Sequence, residues 1–444
     1  MGGPGVGALM QIAAVGPQNR HLTIDPDPDF RPFKAAYRRH VPMAFDMREI
    51  RVNQDVRFGE RVRIVVPNDA DFIGEMYLEI ELPFINNFAG NGRFYWVDRV
   101  GYAMIKVARL LIDDQIVHSC DKYVHATADL LRLPIEKVRG KNEMIGGGGH
   151  LPANTEHVLY VPLAFFHGRP REGHGWLPTW ALRNSVVAVE IEFESIFDVV
   201  LVEDEGALIK PTDVDAYYLT EIVDPAATAP NIKTVVVDGV STNLEFKPLK
   251  IEHGKMSLLA QSAFVGHEAR FFHMNAEQLF EQVQTAESTN ASESNVDVER
   301  FVDKFFADMP FVNSVKTLFW TVQRRSDVLA NRYFQFLDIV DTAAVHLDGG
   351  RTEIRRGSYY RVVEPYFSKL RTGASNVYCW SFALDAGAHQ PSGVAFLSNF
   401  NTKRARIEIL EPHGNVELIA RTFGASYNAL QISGGGRARL SYVA

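Results

Sequence analysis

The chain has 444 residues, of which 46% are hydrophobic and 23% charged; this is a globular composition that excludes a disordered chain, and the length suits two domains of about 220 residues. Lys and Arg total 46 against 54 Asp and Glu, a formal net charge of −8. A protein that coats nucleic acid needs the opposite excess to neutralise phosphates, so direct nucleic-acid binding is not expected. With 29 Phe and 15 Tyr the composition favours β structure with well-filled cores. Two cysteines, Cys120 and Cys379, are too few for a disulfide scaffold and read as reduced thiols of a chain folded in the cytosol.

The chain start lacks a basic region followed by an apolar core and cleavage site, so no signal peptide is expected. The apolar run Val6–Val15 is too short to span a bilayer, and Val6 stands where a myristoylation signal has Ser or Thr. Asp25, Asp27 and Asp29 alternate with prolines that stiffen the segment and spoil a calcium loop. Period-two alternation then predicts strands at Arg61–Val65 and Met76–Leu82. A helix is predicted over Asp121–Arg132 and an exposed polar loop over Lys137–His157. In Val187–Phe193, Val187, Val189, Ile191 and Phe193 oppose Glu190 and Glu192, the pattern of a half-buried strand. Val202–Asp215 reads as the connection between two domains, 1–212 and 213–444. Leu279, Phe280 and Val283 fall at helical spacing after Asn275 and predict a helix over Ala276–Thr285. Gln284–Arg300 reads as a second exposed loop, and Arg406–Leu410 and Val416–Arg421 as further strands. Many strands with few helices predict an all-β architecture of two sandwiches.

No motif carries catalysis or a cofactor. Gly146–Gly149 is followed by His150 rather than by Lys-Ser or Lys-Thr, so the phosphate-loop pattern fails. Gly434–Gly436 opens no helix, and Gly5 and Gly7 follow no strand. His267 and Glu268 begin a zinc-protease pattern that Phe271 breaks. His150, His157, His167 and His174 are spaced neither as tight metal pairs nor on one helical face. Asn290, in the second polar loop, begins the one Asn-x-Ser/Thr glycosylation acceptor. The expectation is a protein that is not an enzyme and takes no metal or cofactor.

Specific phrases go further. Gly7–Gly16, Leu22-Thr23 and Phe33–His40, then Met76–Pro83, Trp96–Lys106 and Leu159–Leu163, resemble the major capsid proteins of nucleocytoplasmic large DNA viruses, of phycodnavirus or iridovirus type. In the second half Leu279–Gln284 resembles the family's helix-bearing segment, and Val315-Lys316 with Leu318–Trp320 the strand after it. Tyr378–Leu384, Gln390–Gly393, Tyr427-Asn428, Leu430 and Ser433–Leu440 continue the match in order to the carboxy terminus.

The resemblance implies two consecutive eight-stranded jelly rolls and homotrimers that form pseudo-hexagonal capsomers of an icosahedral virion shell. It implies an inward-facing segment 1–40 near minor capsid proteins and an inner membrane, penton proteins as further partners, and assembly in the host cytoplasm. Two rival readings are a minor double-jelly-roll shell component and a jelly-roll lectin. A lectin needs Trp residues clustered on one face, whereas Trp96, Trp176, Trp180, Trp320 and Trp380 are scattered.

Overall fold

The computed structural model describes residues 5–13, 41–85, 93–168, 175–204, 206–212, 219–223, 232–237, 240–266, 277–289, 295–297, 302–347, 350–371, 376–388, 390–399, 406–412, 416–433 and 436–441. Residues 1–42 and 43–444 form separate units. In the first, a short helix, α1, covers Val6–Ala13; the signature phrases from Leu22 to His40 lie outside the described residues.

The first sandwich of the second unit is built on eight strands: β1 (Met43–Arg51), β2 (Arg61–Val66), β3 (Phe72–Glu81), β4 (Ile105–Ile112), β5 (Gln115–Asp121), β6 (Val158–Pro162), β7 (Val187–Phe193) and β8 (Met256–Val265). They pair into two four-stranded sheets, ordered β1-β8-β3-β6 and β2-β7-β4-β5. Eight more follow: β9 (Glu277–Thr289), β10 (Val302–Asp308), β11 (Ser314–Arg324), β12 (Thr342–Leu347), β13 (Gly350–Arg351), β14 (Tyr378–Ser381), β15 (Arg406–Pro412) and β16 (Leu418–Ser433). Their sheets run β9-β16-β11-β14 and β10-β15-β12-β13. In both sets the first, eighth, third and sixth strands share one sheet and the second, seventh, fourth and fifth the other. That crossing pattern is the jelly roll, made twice.

The alternation that predicted the strands is the alternation of burial. β2 is exposed and buried by turns, with Val62, Ile64 and Val66 in the core. β7 buries Val187, Val189, Ile191 and Phe193. Glu190 and Glu192, on its outer face, pair with Arg109 at 2.9 Å and Lys106 at 2.8 Å. Such wet-face pairs contribute about 0–1 kcal/mol each, so the inner face holds the sheet. The helix predicted at Asp121–Arg132 forms as α2, Lys122–Arg132, with the Asp121 carboxylate accepting from the Val124 amide at 2.7 Å.

Three expectations change. The helix predicted over Ala276–Thr285, and with it the helix-bearing reading of Leu279–Gln284, is replaced by β9, which pairs antiparallel with β16 from Glu277↔Gln431 to Thr289↔Ile419. A partner that satisfies thirteen residues of backbone outweighs a weak local preference. The helical spacing misleads because polar residues share the inner face: Gln282 is buried, and the Gln284 amide group brackets Val312, donating to its carbonyl at 2.8 Å and accepting from its N–H at 2.9 Å. The same strand takes in 284–289 of the expected loop Gln284–Arg300, and Asn295–Asp297 pairs with β10; Asn290 lies outside the described residues. The expected loop Lys137–His157 contains a helix, α3 (Val138–Ile145), and a short strand, Leu151–Pro152, that pairs with Arg93–Trp96. Ile145 and Ala153 enter the core, which is why the segment is not a free loop.

Within the expected interdomain connection, Val200–Asp204 and Ala207–Ile209 form a hairpin on the strand Arg93–Trp96. The expected division at 212 therefore runs between β7 and β8, because Met256–Val265 returns to lie between β1 and β3. A three-stranded sheet, built from Thr220–Val223, Ile232–Val237 and Val240–Pro248, sits in that insertion.

Candidate assembly site: the clasp between the two sandwiches

Helix α2 leaves β5 of the first sandwich and is gripped by the second. Asp121, which caps it, is half-buried, and desolvation raises its carboxyl above the usual range. Lys122 is held at 2.8 Å by Glu194 and lies 3.6 Å from the centre of the Tyr333 ring, while burial lowers its ammonium. Tyr123 packs edge-on against Phe334, and the Arg421 guanidinium of β16 lies over its ring at 3.8 Å. Burial pushes the Tyr123 hydroxyl up to about 12. Arg421 also reaches Gln323 of β11 and pairs with Glu287 of β9 at 3.0 Å. Lys122 and Tyr123, at the start of α2, thus lie against aromatic and cationic groups of the other sandwich. Desolvated cation–π contacts of this kind contribute about 2 kcal/mol.

The other end of α2 meets a carboxylate shared by both halves. Arg132 binds Glu281 Oε1, and Lys316 Nζ lies 3.4 Å from Glu281 Oε2. The Lys316 side chain is only 1% exposed, and its ammonium also donates to the Ala388 carbonyl at 2.6 Å. Burial lowers its affinity for a proton, while Glu281 opposes that shift. Backbone contacts complete the clasp. The Arg371 amide donates to the Leu131 carbonyl at 2.8 Å, and Asn331 Nδ2 donates to the Phe197 and Val200 carbonyls at 2.7 and 3.1 Å. The rings of Phe166 and Phe280 meet across the seam, tilted by 31° with centroids 4.4 Å apart, and one hydrophobic core runs through it.

Nothing in the spacing of Arg132, Glu281 and Lys316 marks them in the sequence. Lys316 alone carries a signal: it is a lone charge inside the apolar strand from Val315 to Trp320, and a cation in such a run needs a buried partner.

The residues weighed for chemistry are not brought together. The amides of Gly148 and Gly149 both donate to Asp98 Oδ1, at 2.9 and 3.2 Å, so a carboxylate fills the place a phosphate would take. Gly146, at φ 69°, ends α3 in the left-handed conformation that glycine favours. His157 lies in an exposed turn beside Thr155, whereas His167 is fully buried; His174, His267 and the Asp25–Asp29 stretch lie outside the described residues. Among the described residues no group of His, Cys, Asp and Glu is placed to hold a metal, and no helix is long and apolar enough to cross a membrane. Both cysteines are buried and unbridged. All five Trp are buried or half-buried, so no Trp offers an exposed face for sugar stacking.

Two family models cover most of the chain in the same order as the two sandwiches. One, the N-terminus of the major capsid protein, matches residues 32–237. The other, the major capsid protein of large eukaryotic DNA viruses, matches residues 268–435. This chain belongs to the double jelly-roll major capsid protein family of nucleocytoplasmic large DNA viruses. The capsid protein is 24% identical to the major capsid protein of Phaeocystis pouchetii virus, over 97% of this chain and 98% of that one. It is 23% identical to probable capsid protein 4 of Acanthamoeba polyphaga mimivirus, over 96% and 97%. Its fold matches the PBCV-1 capsid protein with a TM-score of 0.68 at 18% identity, covering 93% of this chain and 100% of that one. The Faustovirus major capsid protein matches at 0.65 and 11% identity, over 96% and 97%. The capsid protein is accordingly a structural component of the virion shell, made and assembled in the host cell, and self-associates into capsomers.

One buried group gives the first sandwich a pH dependence. His167 Nδ1–H donates to the Gly74 carbonyl at 2.6 Å, and Nε2 has no hydrogen-bond partner. Burial between Phe165 and Phe166 drives the ring down to about 4 from 6.5. Between those two values the unfolded chain binds a proton here and the folded chain does not, so stability falls as pH drops through that window. The contribution, complete above pH 6.5, is about 3 kcal/mol. Urea titrations at pH 7 and pH 4.5 are expected to show a smaller loss for His167→Gln than for the parent. An equal loss in both would contradict this assignment.

Proposed function

We propose that three copies of the capsid protein associate about a threefold axis into a capsomer of pseudo-hexagonal outline, and that these capsomers tile the icosahedral shell. The observation that carries this reading is the repetition of one strand order in two sandwiches clasped into a single unit. Three such chains present six similar wedges, and a hexagonal outline tiles a face through repeated contacts of one kind. The first jelly roll ends at Val265 and the second begins at Glu277, a division supported by the completion of the first sheet by β8 and by the gap between the two family matches.

Segment 1–40 faces the interior, toward minor capsid proteins and an inner membrane, with penton proteins closing the vertices. The acidic balance of the chain favours a shell that leaves genome contact to other proteins. Light scattering on the purified capsid protein is expected to give three times 49.8 kDa. A strictly monomeric mass at micromolar concentration would count against the trimer.

A further inference from the structure

The second sandwich presents an apolar face built on a rigid support. After β13 the chain forms a π-helix, Tyr359–Val363, that runs directly into an α-helix, Glu364–Phe367. Its inner side is firmly held. Tyr360 is fully buried against Trp320 with ring centroids 5.2 Å apart, and its hydroxyl donates to the Ala343 carbonyl at 3.1 Å. Glu364, also buried, accepts from the Ser381 amide and the Tyr359 hydroxyl, both at 3.1 Å. The outer side is apolar: Tyr366 is 73% exposed and Phe367 68%, with Val362 and Val363 one turn before them. Leu384, 81% exposed, extends the face from the neighbouring loop, which is tied down by the Ala386 amide donating to the Ser368 carbonyl at 3.0 Å.

We propose that this face is where one copy of the capsid protein seats on the next copy in the trimer. The inference rests on the trimeric reading and names its surface. Three observations favour a second copy as the occupant. First, the area fits. These five side chains leave roughly 500 Å² open, taking about 150–250 Å² for each large aromatic. A standard interface covers about 800 Å² per partner, about 65% of it apolar at the core. Second, two basic groups on its rim are already neutralised, Arg361 by Asp338 and Lys369 by Asp385, both at 2.9 Å. A surface meant for a lipid headgroup or nucleic acid would leave them open, whereas paired charges around an apolar centre are the anatomy of a protein interface. Third, the face is anchored from beneath, so little ordering entropy is lost when it is covered. A threefold ring needs a heterologous contact, with this face meeting a different surface of the neighbour.

The test compares wild type with the double variant Tyr366→Glu and Phe367→Glu, and with Leu384→Arg. All three positions are solvent-exposed, so folding should persist, and circular dichroism and the urea midpoint verify it. A control, Ile135→Glu, alters an equally exposed apolar residue of the first sandwich. Light scattering is expected to give three times 49.8 kDa for wild type and control, and 49.8 kDa for the double variant. Hot-spot residues weaken association by roughly 30-fold or more each. Leu384→Arg is expected to shift the equilibrium the same way, and decides the matter should the double variant not fold. A folded variant that keeps the threefold mass overturns the surface assignment and gives the face to another occupant, leaving the trimer intact. A monomeric wild type overturns the trimer itself.

Discussion

Replacing Glu281 with Leu is expected to lower the stability of the capsid protein by about 3–5 kcal/mol, since breaking a buried ion pair strands its partner. The partner here is Lys316, whose side chain is 1% exposed and whose remaining acceptor is the Ala388 carbonyl. Arg132 loses the same carboxylate but retains 25% exposure and turns toward water at lower cost. The loss therefore arises mainly from Lys316. That asymmetry gives a second, sharper result. Combining Glu281→Leu with Lys316→Met removes the stranded charge and is expected to recover most of the stability, because buried ion pairs exchange for apolar pairs at little net cost. Urea titration followed by Trp fluorescence reads both. A double variant as unstable as the single one would show that Lys316 is not the source of the loss. Since Glu281 joins helix α2 to β9 and β11, the single variant is also expected to part the two sandwiches into separate unfolding transitions.

Trp320→Ala is expected to cost about 3–5 kcal/mol, the usual range for removing a buried aromatic from a core. Trp320 is fully buried, stacked on Tyr378 at 5.8 Å and packed against Tyr360 at 5.2 Å. Its indole N–H has no hydrogen-bond partner. Trp320→Phe therefore loses packing but no hydrogen bond, and its cost is expected to be well under half that of Trp320→Ala. Because Tyr360 rests on Trp320, the alanine variant also loosens the helix that carries Tyr366 and Phe367. Differential scanning calorimetry checks the ordering; equal losses in the two variants would contradict the packing account.

The two jelly rolls were legible to different depths. Strands with one wet face announce themselves, as β7 does through Glu190 and Glu192. β16 announces only its start, where Val416–Arg421 reads as a strand; it lies between β9 and β11 and is buried on both faces from Leu418 to Leu430, so the rest of its pattern has no period of two. β9 reads as a helix because Gln282 and Gln284 point inward, where a strand pattern would have apolar side chains. Residues 194–255 separate β7 from β8, and no local signal announces that a strand will return across such an insertion. The capsid role was carried by ordered phrases, several of which sit at strands that matter for the clasp, such as Val315-Lys316 and Leu318–Trp320. The clasp itself joins groups far apart in the chain, and only the topology brings Arg132 to Glu281.

The most direct test of the double jelly-roll capsomer is an electron cryomicroscopy image of the purified wild-type protein in solution. The expected particle has threefold symmetry, a near-hexagonal outline and six lobes of similar size, two from each chain. Isolated two-lobed particles, or a symmetric particle with one lobe per chain, would contradict it.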